Sequence, residues 1–128
     1  MADLESSFRA HVLQQSSITD LVSDRIYWNK VADNAVLPYV KLTTVTDNPS
    51  YHQQGESIGR SKVQLDIFDD DKGSCNSLTG IIRTALSGFR GAMGNYRVRL
   101  LVRNVNSDWE DSIRMFRRIL EVEIGYAI

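Results

Sequence analysis

Ser61-Lys62-Val63-Gln64-Leu65-Asp66-Ile67-Phe68 decides the fold. Val63, Leu65 and Ile67 alternate with Lys62, Gln64 and Asp66, the two-residue period of a strand with one buried face. Phe68 falls on the polar side, which predicts partial cover for that face too. Upstream, Tyr39-Val40-Lys41-Leu42-Thr43-Thr44-Val45-Thr46 is rich in β-branched and aromatic residues and follows Pro38, a residue tolerated where a strand begins. The two stretches read as antiparallel neighbours joined by 47–60. That connection has no hydrophobic period, and its length suits either a plain hairpin tip or a binding loop.

Downstream, Asp69-Asp70-Asp71-Lys72-Gly73 closes the strand and opens a helix over Ser74–Leu86, with Leu78, Ile81, Ile82, Ala85 and Leu86 on one face. The acidic run fails the calcium-loop pattern, because no glutamate follows Gly73 at the required distance. Carboxylates before a helix serve its positive end instead. Gly80, inside the helix, predicts close packing on the sheet. Gly88, Gly91 and Gly94 read as a glycine-rich exit. Upstream, Leu4, Phe8, Val12 and Leu13 predict a helix from about 3 to 15. Ile18, Leu21 and Val22 form a second short turn capped by Ser17 or Thr19, and 25–28 a short strand.

The last third reads as a hairpin. Tyr96, Val98, Leu100 and Val102 alternate with Arg97, Arg99, Leu101 and Arg103. Leu120, Val122, Ile124 and Tyr126 alternate with Ile119, Glu121 and Glu123. Folding about Glu110 sets Val98 against Val122, Leu100 against Leu120, Arg99 against Glu121 and Arg97 against Glu123. Arg103, Arg114, Arg117 and Arg118 remain near a tip that carries Trp109 among acidic residues.

With 128 residues the chain is expected to form one domain, 1–128. Its fold class is α+β, a mostly antiparallel sheet of four to five strands with two main helices. A net charge of -1 argues against coating nucleic acid by bulk charge. The single cysteine, Cys75, excludes an intrachain disulfide and a cysteine metal cluster. No apolar run approaches a membrane span, and the acidic Met1-Ala2-Asp3-Leu4-Glu5 does not suit a signal peptide, so a soluble protein is expected. His11 and His52 stand apart, and the chain has no triad, phosphate loop or glycine fingerprint. The expectation is no enzyme, no cofactor and no structural metal.

The layout as a whole resembles the tail-completion family of long-tailed bacteriophages, which includes tail terminators and tail-to-head joining proteins. The carriers are Asp24-Arg25-Ile26-Tyr27, Leu37-Pro38-Tyr39-Val40, the long connection, the 62–68 strand, the helix ending near Leu86 and the closing strand from Phe116 to Tyr126. The resemblance implies a virion protein at the head-proximal end of the tail, assembled in the bacterial host cytoplasm. It would form a ring, typically hexameric, that caps the tail tube. Its partners would be itself, the tail tube protein and head or neck connector proteins, with DNA passing through the lumen unread and no membrane involved. The family transfers no catalytic motif. Candidate interface residues are Tyr51, His52, Arg60, Arg97, Arg99, Arg103, Trp109, Arg117, Glu121 and Glu123. Alternatives are a head-side neck protein (head closure or joining) and a small host α+β binding module using Arg97, Arg99 and Arg103.

Overall fold

Alternation along 61–68 places Val63, Leu65 and Ile67 in the core at 2%, 0% and 0% exposure, and the rest of the fold is built around that strand. The computed structural model describes residues 4–51, 57–110 and 115–127, the side chains of 47–51, 57 and 104–110 excepted. In chain order the elements are α1 (Leu4–Leu13), α2 (Ser16–Val22), β1 (Ile26–Trp28), β2 (Tyr39–Tyr51) and β3 (Ser57–Asp69). They continue with α3 (Lys72–Leu86), β4 (Arg90–Met93), β5 (Tyr96–Glu110) and β6 (Met115–Ala127).

The strands form one mixed six-stranded sheet in the order β1-β2-β3-β6-β5-β4. β1 runs parallel to β2, and every other pair is antiparallel. Four long strands, 13 to 15 residues each, make the body of the sheet, about 40 Å along the strand direction. The two short strands sit on opposite edges and at opposite ends: β1 beside Val40–Leu42, β4 beside Tyr96–Arg99. All three helices lie on one face. Phe8, Ile18, Leu78, Ile82 and Leu86 pack there with Leu42, Leu65, Leu100, Leu120 and Ile124 in a single core.

Several expectations need correction. Among the described residues the sheet has six strands and the helices number three. β4 arises where a glycine-rich exit is expected: Gly94 takes φ +62° in a two-residue turn with Asn95, and Met93 pairs with Tyr96 across it. Gly-Asn between two runs is a hairpin signal. The stretch 47–60 is mostly strand, since the β2–β3 ladder continues to Tyr51 opposite Ser57. β3 has partners on both sides, so main-chain pairing holds its polar end without an apolar period. α2 is preceded by Gln15 rather than capped by Ser17 or Thr19. Gly80 is exposed with nothing within 4 Å of where a Cβ would stand, so it marks no close packing.

The β5–β6 register is shifted from the expected one by four residues. Val98 faces Tyr126, Leu100 faces Ile124, and Val102 faces Val122. The odd residues stay on one face and the even ones on the other, so a shift of four keeps every apolar side chain in the core. Alternation fixes the parity; the offset is set by where the ladder ends, with Glu110 opposite Met115.

Candidate interaction surface

The two segments quoted for the family resemblance are tied to each other. Arg25 sends its Nε to the carbonyl of Pro38 at 2.9 Å, and Val40 N donates to Arg25 O at 3.0 Å. Arg9 donates from α1 to Ile26 O at 2.8 Å, and Trp28 Nε1 to Glu5 O at 3.1 Å. Asp-Arg-Ile-Tyr and Leu-Pro-Tyr-Val therefore fasten β1 onto β2 and under α1. Their role is structural.

The sheet face opposite the helices carries the candidate residues. Tyr39 and Phe68 cover one end, ring centroids 5.1 Å apart, with Tyr27 edge-on to Tyr39 at 6.1 Å. Burial and the neighbouring Tyr27 raise the Tyr39 pKa. Phe68 is 8% exposed, as its place on a partly covered face predicts. Next to it Asp66 accepts from Gln64 Nε2 at 2.7 Å and lies 3.4 Å from Arg117.

Toward the middle, Glu123 stands 3.9 Å from both Arg60 and Arg103, and Glu121 stands 3.9 Å from Lys62. Arg97 and Arg99 lie opposite Ala127 and Gly125, not opposite Glu123 and Glu121 as expected. The two glutamates do neutralise cations, but they take Lys62, Arg60 and Arg103. These contacts are long and half exposed, worth well under about 1 kcal/mol each. Arg118, on the helix-covered side, donates to Asn76 Oδ1 at 3.1 Å.

The far end of this face is basic and concave. A trough of about 660 Å³ is lined by Arg60, Arg90, Arg97 and Arg99 around Gly125. A recess of about 330 Å³ beside it adds Leu101, Arg103 and Glu123. Arg60 is therefore a strand residue, not a loop residue. Arg90, on the unforeseen β4, has no signal of its own; only the pairing of β4 with β5 brings it here. At the opposite end of β3 lies an acidic recess of about 730 Å³ between α2 and the start of α3. There Asp71 caps α3, accepting from Ser74 N at 2.8 Å, which lowers its pKa. Asp69 is 6% exposed and accepts from Asp70 N at 2.8 Å; burial raises its pKa. Among the described residues no three of His, Cys, Asp and Glu gather as metal ligands.

His52 and Arg114 lie outside the described residues, as do the side chains of Tyr51 and Trp109. The β2–β3 ladder ends at Tyr51 opposite Ser57 and the β5–β6 ladder at Glu110 opposite Met115, at opposite ends of the sheet.

Among solved structures, one from the virion of a native gene transfer agent particle superposes with a TM-score of 0.79. It shares 14% identity and covers 98% of this chain and 95% of that one. A second solved structure matches with a TM-score of 0.59 and 12% identity, over 98% of this chain and 96% of that one. No curated protein matches. Residues 7–127 match the family profile described as tail completion protein gp17. Since that match spans nearly the whole chain, the protein belongs to this family of tail-associated virion proteins.

Proposed function

We propose that the chain is a structural, non-catalytic protein that caps the phage tail tube as a ring and provides the docking surface for the head or neck on its other side. The family match over 7–127 carries this reading. The shape is compatible with it. Opposite hairpin turns give each protomer two distinct ends, one toward the tail and one toward the head. A helix-free face and two unlike edges suit head-to-tail contacts, which close into a ring when the rotation permits. The ring is a hexamer in this proposal. Its partners are other copies of the chain, the tail tube protein and head or neck connectors, and the turns near Tyr51, His52 and Trp109 make the contacts.

Sedimentation of the purified protein, alone and mixed with tail tube protein or with neck protein, tests the reading. A hexamer-sized species that binds tube ends is expected. Binding to neck protein with none to tubes would assign the chain to the head side instead. A second test replaces residues 50–57 by a tight turn and complements a phage lacking this protein. Unjoined heads and tails are expected, and normal virions would overturn the role given to that turn.

A further inference from the structure

We infer that the arginine trough at the β4 end of the open face binds the phosphate backbone of duplex DNA. This goes beyond capping and does not depend on ring formation. The key observation is a row across four strands. Arg60 on β3 faces Gly125 on β6, Gly125 faces Arg99 on β5, and Arg99 faces Arg90 on β4. Arg97, one step along β5 on the same face, adds a fourth guanidinium to the trough.

Like charges set directly opposite each other destabilise a sheet, so the Arg90–Arg99 pair costs the fold rather than supporting it. Folding offers no compensation nearby. Among the described residues no carboxylate lies within 4.0 Å of Arg90, Arg97 or Arg99, and Arg60 reaches Glu123 only at 3.9 Å with its side chain 80% exposed. Gly125 leaves the row without a side chain in its middle, which makes the trough's floor.

The lining fits phosphate. Guanidinium groups bind phosphate oxygens in a bidentate fork. Arg60 and Arg90 stand three strand spacings apart, about 14 Å. The DNA major groove is about 12 Å wide, so the outer arginines can reach phosphates on its two sides. A protein partner fits less well. Exposed aromatic anchors are what a protein hot spot needs, and among the described residues the one aromatic in the lining, Tyr126, is 9% exposed. The acidic end of a second copy is also a poor match, because Asp69 and Asp71 are already hydrogen-bonded to main-chain N–H groups. Asp70 alone cannot neutralise four arginines.

The test is fluorescence anisotropy of a 20-base-pair duplex titrated with the full chain across a salt series. It compares wild type with Arg90→Gln/Arg99→Gln and with Arg83→Gln, an exposed arginine on α3 that serves as control. Each phosphate contact contributes about 0.9 to the slope of log K against log salt, so the double variant is expected to lose about 2 from the slope. Arg83→Gln should behave as wild type. The double variant should keep its thermal midpoint, since it relieves a like-charge pair. Absence of duplex binding at low salt would overturn the proposal, and so would an unchanged slope in the double variant. A change in sedimentation with DNA binding unaffected would also overturn it, by making a second copy of the chain the occupant.

Discussion

Asp66 and Arg117 meet diagonally across β3 and β6, Oδ2 to Nη2 3.4 Å apart, on the face that carries no helices. The Asp66 side chain is only 8% exposed and also accepts from Gln64, so its charge is held by two partners and little water. Asp66→Ala leaves the guanidinium beside Phe68 without this carboxylate. Breaking such a pair in a part-buried site should cost about 1–3 kcal/mol. Asp66→Asn, which can still accept from Gln64, should cost less. Urea denaturation of both variants decides it, and equal losses would mean that the charge carries the whole effect and the Gln64 hydrogen bond none of it.

The glycines at 80 and 94 should respond with opposite sign. Gly80 is exposed inside α3 with open space around it, so Gly80→Ala should stabilise by up to about 1 kcal/mol. Gly94 sits at φ +62°, and an added Cβ there would run into the Ser7 hydroxyl of α1. Gly94→Ala should therefore destabilise, by about 1–3 kcal/mol. Thermal midpoints of the two variants shifting in the same direction would contradict the placement of α1 against the β4–β5 turn.

His11 is 6% exposed, its ring centroid 4.2 Å from that of Phe89 with the planes inclined at 44°, and burial lowers its pKa below 6.5. The folded state thus takes up its proton less readily than the unfolded one. Stability is full above the unfolded pKa and falls as pH drops through 6.5 toward the lower folded value. Replacing it by Met should flatten the decline in unfolding free energy between pH 7 and pH 5. An identical decline in His11→Met would assign that acid sensitivity to other groups.

Cys75 is 1% exposed beneath the β3–β6 pair, with Sγ 3.5 Å from Ile67 O, and burial pushes its thiol up to about 11. Neither thiolate nor access is available at pH 8. An alkylating reagent should modify it only as fast as the chain opens, with urea restoring ordinary reactivity. Labelling of the native chain at the rate of a free thiol would show that α3 lifts readily from the sheet.

Local pattern alone determined much of this protein. The alternation in 62–68 and 96–103 fixed which side chains enter the core, because successive strand residues point to opposite faces whatever the partner. The apolar stripe of α3 and the carboxylate ahead of it likewise depend on neighbours within a few residues, so the Asp71 cap could be expected from its position. Register could not. Shifting β5 against β6 by four residues preserves every inward side chain, and only the position of the turn chooses between the alternatives. That choice decides whether Arg99 faces Glu121 or, as found, Gly125 and Arg90. The arginine trough therefore exists only in the tertiary structure: β6 lies between β3 and the β4–β5 hairpin, so Arg60 meets Arg90, Arg97 and Arg99 only through that sheet order, and main-chain pairing, blind to side-chain charge, brought like charges together.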